Sequence, residues 1–195
     1  GVPLWRGVGG LNMETAKNCS EPNQEALTKN LLTGLFFSRA FMEDAREFIL
    51  QTTPNTYCLV AVDVLHFRMF NRFYGRDKGD HFLRHVAGCL EAVRREYGGV
   101  TGHFEGDNFA ILMPWRMELV EMLREDILEG GLRQSSVFGV FPTFGISPID
   151  NLELPPEVYY DRATLALGHA SAREHIICYD PKMADILEEE LHLLT

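Results

Sequence analysis

The feature that most constrains the fold of this chain is an acidic turn set between apolar segments. Residues 104–109 read F-E-G-D-N-F, and an apolar run, 109–113, follows them. Apolar segments joined by a short turn of glycine and polar residues predict a β-hairpin. A hairpin of this kind holds the carboxylate at its tip rigidly, which is one way to present a metal ligand. The residues at the tip are Glu105, Gly106, Asp107 and Asn108.

A second segment predicts a strand in the middle of the sheet. The six residues 57–62 are apolar without alternation, so we expect both faces of this strand to be buried. Asp63 follows directly and ends the predicted strand, and an acid in that position needs partners because burying an unpaired charge is costly. The two carboxylates, Asp63 and Asp107, predict a site for a divalent cation. The alternative is that Asp63 serves only as a strand end.

Hydrophobic periodicity and turn residues predict the elements around these strands. In the clearest helix, 77–96, six apolar residues fall at helical spacing on one face. The order of strands and helices predicts an α+β fold, with helices on the faces of a mixed sheet. The other predicted elements are helices at 38–50, capped by Ser38, at 116–129, closed by Gly130 and Gly131, at 155–172 and at 181–194, and strands at 135–146 and 176–178.

Length and composition indicate one globular domain with terminal extensions. The chain has 195 residues, of which 46% are hydrophobic and 24% are charged. No apolar run approaches the ~18 residues of a membrane span, and the N-terminus lacks the charged and apolar regions of a secretory signal. The four cysteines have no C-x-x-C spacing, as expected for reduced thiols in a cytoplasmic protein.

The charge balance limits the classes of partner. A net charge of −10 argues against binding nucleic acid or anionic lipid through a broad surface. A small polyphosphate is compatible with this charge, because it needs only local cations and a metal. His81 and His85 stand four residues apart on a predicted helix, which is metal-ligand spacing, but without a third ligand we interpret them as solvated or capping residues.

Four segments resemble the motifs of the GGDEF family of diguanylate cyclase domains, and they follow one another along the chain in the same order as in the family. The resemblance extends over residues 28–180. The turn itself reads E-G-D-N-F in place of G-G-[D/E]-E-F. The other matching positions are Leu32, Thr33, Gly34 and Leu35 with Arg39 and Phe41, then Asp63 to Arg68 with Asn71, Gly75, Gly79 and Asp80, and finally Arg173 with Tyr179 and Asp180.

The resemblance implies the palm-like fold of nucleotidyl cyclases, with a central, mostly antiparallel sheet. It also implies metal-assisted phosphoryl transfer, in which two domains, each with one GTP, face each other to form cyclic di-GMP. Metal ligands for Mg²⁺ or Mn²⁺ would be Asp63, the Val64 carbonyl and Asp107, with Asp107 also catalytic. Substrate-binding positions would be Phe67, Asn71, Arg76, Asp80 and Arg173, with Asn71 and Asp80 reading guanine.

Each of these substrate residues also has a purely structural interpretation. Asp80 could be a solvated acid in the first turn of its helix, where the dipole favours negative charge. Arg173 could be an ordinary surface charge. The register of Asp80 with Asn71 is what favours the nucleotide-binding interpretation.

Several positions depart from the family pattern. Glu105 replaces the first glycine of the signature, where a ligand comes close to the backbone, and Asn108 replaces its second acid. His169 stands in place of a phosphate-binding lysine. The inhibitory product site requires R-x-x-D at 96–99, where the chain has Glu96 and Gly99. The other replacements are Leu65 for the second acid of D-x-D, Arg72 for an aspartate and Arg76 for a histidine.

These departures predict a catalytically degenerate domain that binds GTP and acts as a regulatory module. A weak but genuine diguanylate cyclase and a scaffold without nucleotide binding are the two alternatives. Residues 1–27 would be a leader from an upstream sensory domain, and residues 181–195 a helical connector to a downstream EAL domain. The family resemblance further implies a homodimer.

Overall fold

The computed structural model describes residues 28–134 and 140–194, with residues 132–134 as backbone only. Within them, one sheet of five strands has the order β2-β3-β1-β4-β5. Every neighbouring pair is antiparallel except β4 and β5, which are parallel, so the prediction of a mostly antiparallel sheet is confirmed. The strands are β1 (Tyr57–Leu65), β2 (Val100–Glu105), β3 (Asn108–Pro114), β4 (Phe141–Pro148) and β5 (Ile176–Cys178).

The predicted central strand forms β1, and it is buried on both faces. Residues 58–62 are each at most 1% exposed, as the uninterrupted apolar run predicts. The prediction that the strand ends at Asp63 is wrong. β4 continues to pair with β1 as far as Leu65, with Asp63 opposite Thr143. Asp63 therefore lies within the sheet ladder, which fixes its backbone.

Helices cover the two faces of the sheet. On one face, α2 (Phe67–Tyr74), α3 (Arg76–Tyr97) and α4 (Met117–Gln134) pack on the even-numbered side chains of β1. On the other face, α1 (Ser38–Leu50) and α5 (Pro156–Leu167) pack on Leu59 and Ala61. The α+β fold predicted from the sequence is confirmed. α6 (Lys182–Leu193) follows β5 and has no buried residue.

The predicted apolar face of α3 is confirmed, whereas α2 was not predicted. Six residues of α3 that the periodicity assigns to the core are buried, namely Phe82, Leu83, Val86, Ala87, Leu90 and Val93. α2 is a separate helix of 8 residues between β1 and α3. It begins after His66, whose φ is +66°, and it ends at Gly75, whose φ is +88°. These two left-handed residues let the chain change direction twice within a short distance.

Two predicted helix boundaries are wrong. Ser38 is the first residue of α1 and not its cap; Phe37 is the N-cap, and no side chain caps this helix. α4 continues through Gly130 and Gly131 to Gln134. A Cβ on Gly130 would lie 2.0 Å from the His85 ring, and one on Gly131 would lie 2.4 Å from Val140. These glycines therefore permit close packing and do not terminate the helix.

The segments around β4 and β5 also differ from prediction. The predicted strand at 135–146 corresponds to β4, which begins at Phe141, and residues 135–139 lie outside the described residues. α5 ends at Leu167 and not at 172. The chain must turn back after this helix, since the His175 carbonyl accepts a hydrogen bond from Phe144 N–H at 2.7 Å. Among residues 28–134 and 140–194 no helix is long and apolar enough to cross a membrane.

The contact between β4 and α5 makes a testable prediction about Gly145. A Cβ there would lie 2.0 Å from the Ala163 carbonyl oxygen and 2.5 Å from the Leu167 nitrogen, both of them backbone atoms of α5. We expect Gly145→Ala to lower the free energy of unfolding by roughly 1–3 kcal/mol, as overpacking does. Gly88→Ala is the control, because that helical position has open space around it, and it should gain up to about 1 kcal/mol. Urea denaturation of both variants measures this; equal effects would contradict the prediction.

Candidate functional site

The predicted hairpin is confirmed and forms one side of the candidate site. β2 and β3 are antiparallel, and Glu105 pairs with Asn108 at the end of the ladder. Gly106 and Asp107 make the turn between them. Gly106 has a φ of +56°, a conformation that favours glycine, and this accounts for the glycine on the N-terminal side of Asp107.

The turn brings Asp107 to Asp63 at the adjacent strand. The backbone N–H of Val64 donates to Asp63 Oδ1 at 2.9 Å and to Asp107 Oδ2 at 3.2 Å. Burial raises the pKa of Asp63 to about 7, and the hydrogen bond to Asp107 and the repulsion from its charge act in the same direction. The Val64 N–H opposes this rise only in part. The pair therefore retains a proton near neutral pH unless a cation replaces it.

The donor atoms of this pair suit a hard divalent cation. Two carboxylates are the usual protein contribution to an Mg²⁺ site, where substrate phosphates and water supply the remaining ligands. The Val64 carbonyl leaves an extended strand on the same side as the Val64 N–H, so it is a third oxygen donor. No group of three or more His, Cys, Asp and Glu side chains with metal-site geometry occurs in the described part of the chain.

A second part of the site lies where α2 meets α3. The Asn71 side chain packs directly on Gly79, where a Cβ would lie 1.8 Å from Asn71 Oδ1. Asn71 Oδ1 is buried and has no hydrogen-bond partner. Asp80, the next residue of α3, is half-buried. Asn71 of α2 thus packs on α3 at the residue that precedes Asp80. An unpaired buried amide oxygen is costly unless a ligand or water completes its hydrogen bonding.

The other predicted substrate residues have different surroundings. Phe67 is 9% exposed and packs near Phe70 and Phe82 in the core, so the structure does not present its ring on the surface. Arg76 is exposed at the first residue of α3. Arg173 is exposed in the loop between α5 and β5, where its backbone N–H donates to Ser171 Oγ at 3.2 Å. The replacement His169 is also exposed in this loop.

Two residues near the pair were not identified from the sequence. His103 of β2 is buried and bonds through Nε2 to the Gly106 carbonyl at 2.7 Å. Tyr160 of α5 is half-buried against Phe104, with ring centroids 5.2 Å apart, and its pKa is raised by burial and by nearby acids that include Asp63. A histidine just before the acidic turn was the only sequence signal for His103. Tyr160 gave none.

Comparison of the sequence with protein families finds one match, to the family described as diguanylate cyclase, GGDEF domain, over residues 30–132. The chain is 34% identical over 84 residues to the diguanylate cyclase VdcA of Vibrio cholerae, and the matched stretch covers 43% of this chain and 24% of that protein. It is 28% identical over 147 residues to the diguanylate cyclase DgcM of Escherichia coli, covering 70% and 36% respectively. The chain thus spans about a quarter to a third of the length of these relatives.

Solved structures with the same fold are also GGDEF domains. The GGDEF domain of DgcB from Caulobacter crescentus, in complex with c-di-GMP, superposes with a TM-score of 0.62 at 20% identity, covering 81% of this chain and 98% of that one. The GGDEF domain of TpbB (YfiN) from Pseudomonas aeruginosa gives a TM-score of 0.65 at 18% identity, covering 82% and 99%. At these identities the likeness concerns the fold.

The raised pKa of Asp63 predicts a pH dependence of stability without divalent metal. Between about pH 4 and pH 7 the unfolded chain loses this proton while the folded chain keeps it, so the free energy of unfolding falls as pH rises. The loss should reach roughly 2–4 kcal/mol above pH 7. In Asp63→Asn the fall should be much smaller, and Mg²⁺ should stabilise only the wild type at pH 8. Chemical denaturation across this pH range tests it, and parallel curves for the two proteins would refute it.

Proposed function

The chain belongs to the GGDEF family, and from this premise we propose that it is a catalytically degenerate member that binds GTP and acts as a regulatory module in cyclic di-GMP signalling. The observation that carries this proposal is a contrast within one site. The two carboxylates suited to a cation remain in contact through Val64 N–H, whereas both residues that flank Gly106 and Asp107 differ from the family signature.

Metal binding is the first element of the proposed function. Asp63, Asp107 and the Val64 carbonyl would hold Mg²⁺ or Mn²⁺, which when bound would neutralise the charge of a triphosphate. Without a cation, burial chiefly raises the pKa of Asp63, and repulsion from the Asp107 carboxylate adds to this effect. A cation that relieves this repulsion would bind with a favourable electrostatic contribution that an isolated carboxylate cannot give. Metal and GTP are therefore expected to bind together.

Recognition of guanine is the second element. We assign it to Asn71 and to Asp80, and the packing of Asn71 on Gly79, the residue before Asp80, supports this assignment. The Asp80 carboxylate can accept hydrogen bonds from guanine N1–H and the 2-amino group, and adenine lacks that pair of donors. The buried and unpaired Asn71 Oδ1 supports a ligand-binding role for this amide. Arg76 and Arg173 are both exposed, and their positively charged guanidinium groups would contact the phosphates.

Loss of catalysis is the third element. Asn108 cannot act as an acid, a base or an anionic ligand at the position of the second signature acid. Glu105 adds a negative charge next to the turn; a charge ~5 Å from a phosphate in a medium of effective dielectric ~20 costs about 3 kcal/mol. Its exposure to solvent will lower that cost. Both changes would act against catalysis, and neither replaces Asp63 or Asp107, the two carboxylates proposed to hold the metal.

Loss of the inhibitory product site accompanies these changes. Glu96, at the position of its arginine, is exposed and negative. Gly99, at the position of its aspartate, has a φ of +115°, and a Cβ there would lie 1.9 Å from the Leu112 carbonyl oxygen. An aspartate could be accommodated only if the start of β2 moved away from β3. The backbone here is therefore incompatible with the family's product-binding side chain.

We also propose the domain organisation and partners. Residues 28–180 form the GGDEF-like domain, residues 1–27 lead from an upstream sensory domain, and residues 181–195 connect to a downstream EAL domain. The exposed apolar side chains of α6, which include Ile186, Leu187 and Leu191, suit a connector that packs on a neighbour. A homodimer and a cytoplasmic location complete the proposal.

The second candidate function, a weak cyclase, is favoured by the survival of the carboxylate pair.

The nucleotide-binding proposal makes a quantitative prediction. GTP should bind in preference to ATP and only with Mg²⁺ or Mn²⁺ present. Asp80→Ala should weaken GTP binding by roughly 1–3 kcal/mol, the cost of losing hydrogen bonds to a charged group. Asp63→Ala should remove the metal dependence together with most of the affinity, and Glu105→Gly should tighten binding.

Calorimetric titration with a non-hydrolysable GTP analogue measures these effects. Asp77→Ala is a matched control for Asp80→Ala, because Asp77 lies in the first turn of the same helix and is exposed. Absence of GTP binding at millimolar ligand, or equal affinity for ATP, would contradict the proposal and favour the scaffold alternative.

The loss of catalysis is tested separately. Purified protein incubated with GTP and Mg²⁺ or Mn²⁺ should form cyclic di-GMP at or near the background rate, because the turn lacks the second signature acid. The double variant Glu105→Gly with Asn108→Glu should form more product than the wild type. Robust product formation by micromolar wild-type protein would establish the cyclase alternative.

A further inference from the structure

His103 occupies a buried position between the signature turn and the opening segment, residues 30–36. Its side chain is in β2 and is 2% exposed. Its ring stacks on Phe109 of β3, with centroids 4.1 Å apart and an angle of 9° between the planes. Both ring nitrogens have hydrogen-bond partners, Gly106 on one side and Thr33 on the other. The ring thus connects three segments and is held in one orientation.

The partners determine which nitrogen carries the proton. Nε2 lies 2.7 Å from the Gly106 carbonyl oxygen, which can only accept, so Nε2–H is the donor. In a neutral ring Nδ1 is then an acceptor, and the Thr33 hydroxyl, 3.0 Å away, donates to it. Burial lowers the pKa of His103, which favours this neutral form. All hydrogen-bonding groups of the ring are therefore satisfied in one tautomer.

The bond to Gly106 fixes the peptide unit that precedes Asp107. The Gly106 carbonyl and the Asp107 N–H belong to the same planar peptide, so holding the oxygen orients the plane from which the Asp107 side chain projects. Glycine restricts its own backbone less than any other residue, and Gly106 has no side chain with which to anchor the turn. His103 provides that anchor from β2, the strand that leads into the turn.

The same residue fastens the opening segment to the sheet. His103 N–H donates to the Phe36 carbonyl at 2.9 Å, and Phe36 forms an isolated parallel bridge with Gly102. With the Thr33 contact, the opening segment is joined to His103 through both backbone and side chain. A displacement of residues 30–36 would therefore change the hydrogen bonding of the ring that holds Gly106.

We propose that His103 is the positioning residue that sets Asp107 for cation binding and couples that geometry to the opening segment. The inference rests on the proposed function for the role of Asp107 as a metal ligand. In this role His103 is not itself a ligand of the metal or the nucleotide. Its effect is on the orientation of the turn, as outer-shell residues orient metal ligands in other proteins.

Two amide variants separate the roles of the ring nitrogens. A glutamine at 103 can place its N–H near the position of Nε2, whereas an asparagine reaches only the position of Nδ1. His103→Asn should weaken Mn²⁺ binding by about tenfold or more, the typical effect of losing an outer-shell partner. His103→Gln should retain most of the affinity. Thr33→Val should weaken binding by a smaller factor than His103→Asn, because it removes only the bond that holds the ring.

The measurement is a titration of each protein with Mn²⁺ alone, following the free ion by electron paramagnetic resonance. His85→Gln is the matched control. His85 lies on α3, away from the turn, and its Nε2 is 2.9 Å from the Asp126 carbonyl oxygen of α4, so its loss should leave Mn²⁺ affinity unchanged. Circular dichroism identifies variants that remain folded. A second test needs no variant. Nitrogen-15 spectra of the wild type should show His103 as the neutral Nε2–H tautomer.

The outcomes separate this inference from the proposed function. Equal Mn²⁺ affinity of folded His103→Asn and wild type, equal losses in the Asn and Gln variants, or an Nδ1–H tautomer would overturn the role of His103. If His103→Asn does not fold, an unchanged affinity in Thr33→Val overturns it. Wild type that binds Mn²⁺ but not GTP would refute the nucleotide sensor and leave the inference standing. Wild type that binds no Mn²⁺ refutes both.

Discussion

The constraint on which the rest of the site depends is the placement of two carboxylates, Asp63 and Asp107, side by side with Asp63 partly buried. Asp63 is held by the ladder between β1 and β4, and Asp107 by the hairpin whose base is set by the pairing of Val62 with Phe109. The Val64 N–H is one donor for two carboxylates. Because the donors are too few, the site favours a proton or a cation, and this preference follows from the arrangement of the strands.

The sequence predicted correctly those elements whose signal lies within a short stretch of residues. The hairpin and the core face of α3 follow from a turn and from a periodic run, and both are confirmed. α2 and the full length of α4 depend on tertiary packing. α2 occupies 8 residues between two left-handed positions, and α4 passes through Gly130 because the His85 ring lies against it. A propensity scale treats Gly130 and Gly131 as a helix end, whereas in the fold they permit close packing against His85 of α3 and against Val140.

The same distinction applies to the candidate site. Asp63 could be selected from the sequence because it follows an apolar run, and Asp107 because it lies in a short turn before another apolar run. Their proximity depends on β1 and β3 being neighbours in the sheet. The role of His103 depends on Thr33, which is 70 residues away in sequence, so no pattern within β2 could indicate it. Phe67 illustrates the opposite case, since a position chosen for the substrate lies in the core. The assignments of substrate residues stay predictions.

The two glycines of the family signature can now be assigned different physical roles. Gly106 has a φ of +56° and is required by the turn, and this glycine is retained. Position 105 lies at the end of β2, paired with Asn108, in a strand conformation that any residue adopts. Glu105 is therefore compatible with the hairpin. Under the proposed function, glycine at this position of the signature serves close approach of a ligand and not the fold. Under the proposed function, the turn can therefore keep its geometry and the carboxylate proposed to hold the metal while losing the space and charge that catalysis needs.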